Sequence, residues 1–137
     1  MGKRGQVSIE YLIVIGFAFF ITVPLAIMLF SQSELSKNQI NMDEARQTAR
    51  RIVEESERIY YYGAPSMTTL KVYMPEHMIT ANVAPRAINF QIQTAGGIND
   101  VTEISTVNLT GSLSANSGLH IIRLEVVQGA VNLSTVS

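Results

Sequence analysis

Lys3-Arg4-Gly5-Gln6-Val7-Ser8-Ile9-Glu10 leads directly into Tyr11-Leu12-Ile13-Val14-Ile15-Gly16-Phe17-Ala18-Phe19-Phe20-Ile21-Thr22-Val23-Pro24-Leu25-Ala26-Ile27-Met28-Leu29-Phe30, a run without a single charge. As a helix rising about 1.5 Å per residue, the run from Tyr11 to Phe30 covers about 30 Å, the hydrocarbon thickness of a bilayer. A secretory leader carries its small-residue cleavage site after the apolar stretch, which is then discarded. Here the small residue, Gly5, comes before it. A cut between Gly5 and Gln6 would keep the apolar helix in the mature chain, with Glu10 close to the new amino terminus. Lys3 and Arg4 stand upstream, and no basic residue follows until Lys37. By the positive-inside rule the amino end faces the cytoplasm and everything after Phe30 faces outward.

Glu10 is the one carboxylate at the edge of this run. Driving it to the bilayer centre would cost about 2.5–3.5 kcal/mol, so it belongs near the headgroups or beside a cation. Cleavage creates such a cation, the ammonium of Gln6, about one turn away on the same helix and closer still on a staggered neighbour. The ordinary alternative is an interfacial Glu that merely ends a membrane span. Ser8 reads as a local hydrogen-bonding residue at the helix start and not as a nucleophile. Pro24 lacks a backbone donor, and with Gly16 it interrupts the apolar helix. A kinked or locally unwound segment near Pro24 is expected, which neighbouring helices in an apolar bundle tolerate.

Gln6, Ser8 and Glu10, set after Lys3-Arg4-Gly5 and before an aliphatic helix, resemble the class III signal peptide of archaeal type IV pilins, whose core reads Q-x-S-x-E. Val14 stands where the family often has Leu, a conservative departure given Leu12 and Ile13 just before it. The resemblance covers residues 1–30 closely and the remainder only by architecture. It implies cleavage by a prepilin peptidase between Gly5 and Gln6. It also implies assembly of identical subunits into a helical filament, with Glu10, Ser8 and Pro24 as assembly residues. An assembly ATPase and a membrane platform protein are the further partners it implies. The subunit would be held in the membrane before assembly and displayed on the cell surface as an extracellular pilus afterwards, serving surface adhesion.

Composition limits the rest. The chain has 137 residues, so loss of the first five leaves 132, room for one long helix and one small domain. Losing Lys3 and Arg4 from 10 basic residues leaves 8 against 11 acidic ones, a mild excess that argues against a nucleic-acid partner. There is no Cys, which removes both a disulfide framework and thiolate metal ligation.

From Ser31 the pattern turns amphipathic. Met42, Ala45, Ala49, Ile52, Ser56 and Ile59 recur at three- and four-residue spacing, with Asp43, Glu44, Arg46, Arg50, Arg51, Glu54, Glu55, Glu57 and Arg58 mostly on other faces. Glu54 and Arg58 are in the favourable order for pairing, and the charges read as a solvated face. Gly63 followed by Pro65 predicts a stop near Tyr62. A helix over 6–62 would be a rod of about 85 Å. Its second half would pack against the chain's own domain and its first half against other subunits.

Beyond Pro65 the period becomes two: Leu70, Val72, Met74; Ile88, Phe90, Ile92; Val107, Leu109; Ile122, Leu124, Val126; Val131, Leu133. Glycines punctuate these runs, and Gly96-Gly97 suits a hairpin. The expectation is an α+β fold, with a cleaved leader at 1–5, a long helix at 6–62 whose 11–30 portion is membrane span or filament core, and a small antiparallel β-sheet domain at 63–137. Val136 suggests a packed last strand. Asn108-Leu109-Thr110 and Asn132-Leu133-Ser134 match the N-glycosylation acceptor pattern, and the alternation turns both Asn toward solvent. Unmodified Asn on a polar face is the plain alternative.

No catalytic constellation stands out. His77 and His120 read as satisfied surface histidines without carboxylates at ligand spacing, no phosphate-cradling loop joins strand to helix, and Tyr60-Tyr61-Tyr62 reads as packing at a helix end. The chain reads as no enzyme, with no cofactor and no metal. Two other roles compete with the pilus: a single-pass, membrane-tethered surface protein, for which the Gln6, Ser8, Glu10 spacing has no purpose, and an archaeal swimming-filament subunit, against which Glu10 weighs.

Overall fold

The computed structural model describes residues 2–136, with side chains from Gly5 onward. Met1 and the side chains of Lys3 and Arg4, on which the leader and the orientation rule depend, lie outside the described residues. One helix, α1 (Gly2–Tyr62), is followed by seven strands: β1 (Met67–Met74), β2 (Met78–Ala84), β3 (Ala87–Thr94), β4 (Gly97–Ile104), β5 (Leu109–Ser112), β6 (Gly118–Val127) and β7 (Ala130–Thr135). The chain divides into two compact units, Met1–Lys37 and Asn38–Ser137. Among the described residues the first is helix alone. The second holds the later part of α1 and every strand.

The helix stops where Gly63 takes a positive φ of 81° and donates its N–H to Tyr60 O at 3.0 Å, the left-handed cap that the sequence predicts. Ser66 Oγ donates to Gly63 O and fixes the exit. The helix is unbroken through Thr22, Val23, Pro24 and Leu25, so the locally unwound segment expected at Pro24 is not found. A proline removes one donor from the ladder, and the bonds on either side suffice to carry the helix past it.

Two sheets replace the single one expected. Sheet A runs β1-β6-β7-β5 and sheet B runs β2-β3-β4. Every pair is antiparallel except β5 with β7. The chain reverses after β5 and again after β6, so β7 returns in the direction of β5 and pairs with it in parallel. Two sheets form because each carries one apolar face. Ile88, Phe90 and Ile92 on β3 and Ile122, Leu124 and Val126 on β6 are all buried, and two such faces are satisfied together only across a shared core.

That core also takes in Ala45, Ala49, Ile52, Val53 and Ile59 of α1. The predicted stripe is present, with Met42 only half-buried and Thr48 and Val53 added to it. Thr48 is buried because its hydroxyl donates to Tyr73 O at 2.9 Å, and Ser56 because its own donates to Ile52 O at 2.6 Å. Glu57 Oε1 accepts from both the N–H and the hydroxyl of Thr106, at 2.8 and 2.9 Å, which ties the helix to the segment after β4. The surface ion pairs differ from the expected Glu54–Arg58. Arg50 holds Glu54 at 2.9 Å, while Arg58 turns to Glu55 at 2.6 Å, and that carboxylate raises the Arg58 pKa above its ordinary value.

Candidate functional site: an unburied apolar helix

An α-helix satisfies its own backbone, so the environment of residues 11–30 is set by their side chains. None of the most apolar stretch is buried. Within it only Ile15 and Ala26 are even partly covered, whereas Phe20 and Phe30 are 77% and 74% exposed. The hydroxyls of Thr22 and of Ser31, just past the run, are turned inward on the backbone: Thr22 Oγ1 donates to Ala18 O at 2.7 Å and Ser31 Oγ to Ile27 O at 3.0 Å. Apart from the exposed Tyr11 phenol at its amino edge, the run offers no side-chain donor to water, and its outer surface is hydrocarbon on every side.

The magnitude decides what surrounds it. Moving one large apolar side chain out of water is worth about 1.5–3 kcal/mol, so Tyr11 to Phe30 together represent tens of kcal/mol. A whole domain is stable by only about 5–15 kcal/mol. That surface therefore favours an apolar surrounding over water by more than a domain's whole folding stability. The segment is long and apolar enough to cross a membrane, and its length and composition are compatible with membrane anchoring.

At its amino end Gly5, Gln6, Ser8 and Glu10 are all exposed. The Gly5–Gln6 peptide lies within the helix, and a Cβ added at Gly5 would meet nothing within 4 Å. Space at Gly5 is therefore unrestricted by the fold. Because α1 begins at Gly2, Ser8 sits inside the helix of the uncut chain and not at its start; a cut after Gly5 would bring it to the first turn. Glu10 has no ion-pair partner among the described residues.

The remaining candidates separate. Asn108 is exposed just before β5, with its carbonyl accepting from Val131 N at 2.8 Å. Asn132 is half-buried on β7, flanked by Glu125 of β6 and Thr110 of β5, and so is less open than the alternation suggested. His77 is an exposed turn residue with φ 62°, and its carbonyl accepts from Gln93 N at 2.9 Å. His120 is not a surface histidine: it lies buried on the inner face of β6 with Nε2 2.8 Å from Asn116 O. Its even-numbered place in the run His120, Ile122, Leu124, Val126 is the signal that would have shown this. Of the three tyrosines only Tyr60 packs on the core. Tyr61 meets Tyr60 edge to face at 6.0 Å and, like Tyr62, stays exposed.

Comparison with protein-family models, with curated proteins and with solved structures finds no match to this chain.

Proposed function

We propose that this chain is the precursor of a structural subunit of an archaeal type IV-like pilus, cut after Gly5 by a prepilin peptidase and polymerised through its amino-terminal helix. One observation carries the reading: an unbroken helix whose first part is hydrocarbon on all sides continues into a part whose single apolar stripe is already buried in the chain's own core. The second part needs no partner. The first needs one, and lipid supplies it only while the subunit stays in the membrane.

Assembly then becomes a change of solvent. Helices in lipid gain little hydrophobic energy by bundling, so insertion of each subunit depends on close packing, on work by the assembly ATPase and platform protein that the family resemblance implies, and on guidance by Glu10 pairing with a neighbour's new ammonium. Once outside the membrane, tens of kcal/mol per helix hold the bundle together. The filament is extracellular and serves adhesion, and Asn108 is the better placed of the two glycan acceptors.

Intact mass of the cell-surface form tests this. A mature chain beginning at Gln6 is expected, and replacement of Glu10 by Ala should leave that cleavage intact while abolishing polymer. A surface form that keeps Met1 to Gly5 would return the chain to a simple membrane tether, and normal filaments from the Glu10→Ala chain would remove the role given to that carboxylate.

A further inference from the structure

Sheet B ends at β4, and no backbone group of the described residues pairs with its far edge. The turn Ala95-Gly96 makes Thr94 and Gly97 the first hydrogen-bonded pair of the β3–β4 hairpin, and at its other end Ser105 N donates to Arg86 O at 2.8 Å. Alternation between these points turns the N–H and C=O of Ile98, Asp100, Thr102 and Ile104 toward the open edge. The same four side chains lie on the solvent face, where Ile98 is 60% and Ile104 77% exposed. An eight-residue edge flanked by two bare isoleucines is an arrangement that soluble domains usually suppress.

From this edge we infer that β4 pairs antiparallel with β4 of a second copy of this chain, about a two-fold axis through Val101. Residues whose backbone groups point outward must face one another, so even-numbered residues must oppose even-numbered ones. Centred on Val101, Ile98 faces the partner's Ile104, Asp100 faces the partner's Thr102, and Asn99 faces the partner's Glu103, each contact occurring twice. Moving the centre to Asp100 sets that carboxylate against its own copy. Moving it to Thr102 leaves Ile98 opposite a residue beyond the strand. One register alone matches apolar to apolar, hydroxyl to carboxylate and amide to carboxylate.

The pairing supplies up to about eight backbone hydrogen bonds, two from each of four facing pairs. Glu103, half-buried on the inner face, is the kind of inward charge that guards a free edge. In the pair it meets the partner's Asn99, whose amide spends one hydrogen on Thr94 Oγ1 at 2.7 Å and has another to give. The two copies of Asp100 lie diagonally across the seam, so salt strengthens the contact by screening them. The interface is narrow, and it gains most where copies are already crowded together, as in a membrane or a filament. It stands whether or not the helix polymerises.

The test uses the full chain in detergent, which has no native cysteine to interfere. Ile98→Cys and Ile104→Cys chains are prepared separately, mixed and exposed to a mild oxidant. In the inferred register the thiol introduced at position 98 of one copy meets the thiol introduced at position 104 of the other at disulfide distance, whereas like positions stand about 20 Å apart. The mixture should give a roughly ten-fold or greater excess of linked dimer over either chain alone, rising further with added salt. Thr102→Pro in both chains should bring the yield to background, since that N–H faces the open edge and not β3. Equal linking of like positions, no excess in the mixture, or a yield that falls with salt in chains of unchanged circular dichroism would overturn the inference.

Discussion

Gly111 shows how much one residue can decide. It sits on β5 at φ 105°, and an added Cβ would overlap the Leu133 carbonyl oxygen and come within 2.8 Å of Asn132 Oδ1. Both terms act against any side chain: backbone strain and an overlap with backbone that cannot step aside. Gly111→Ala should therefore destabilise the strand-bearing unit by about 3 kcal/mol or more, read from thermal unfolding of the detergent-solubilised chain. Gly16 lies in α1 with nothing within 4 Å, so Gly16→Ala should be neutral or slightly stabilising in the same assay. A Gly111→Ala chain as stable as the parent would mean that the parallel β5–β7 contact is not as tight as described. Gly111 reads in the sequence only as punctuation, because the approach of Leu133 comes from a strand that is distant along the chain.

For the elements, the helix and five strands are legible because each has its own period. The stripe through Ala45, Ala49, Ile52 and Ile59 repeats at helical spacing, and Ile88, Phe90 and Ile92 alternate cleanly. β2 and β4 hide because their inner faces are thin. β2 covers the core with half-buried Met78, Ala81 and Val83, broken by a bulge between Met78 and Thr80. β4 contributes Val101 between half-buried Asn99 and Glu103, while its larger apolar residues, Ile98 and Ile104, face solvent. The β6–β7 turn is equally obscure: Gln128 and Gly129 both take positive φ, 49° and 81°, and only the Gly announces it. Packing makes the helix testable in two halves. Ile52→Ala removes a fully buried side chain and should cost about 2–5 kcal/mol, whereas Leu12→Ala, at a site 65% exposed, should change unfolding of the strand-bearing unit by under about 0.5 kcal/mol. Comparable losses from both would mean that residues 11–30 are packed within the chain after all.

On the scale of the whole molecule, one chain must satisfy two solvents. The strand-bearing unit gathers most of its apolar side chains into one core of its own, with exceptions such as Ile98 and Ile104 at the β4 edge. The helix from Tyr11 to Phe30 does the reverse, and the energy at stake exceeds the stability of the folded unit several-fold. The candidate site was legible at this level because length and hydropathy alone set that balance. The roles proposed for Gln6, Ser8 and Glu10 rest on a short pattern alone, since their proposed partners belong to other copies of the chain or to other proteins. The proposed assembly requires that these helices leave lipid by covering one another. Electron micrographs of material sheared from cells bearing this chain and purified without detergent test it most directly: the account predicts continuous filaments, and a preparation containing only dispersed monomers would contradict it.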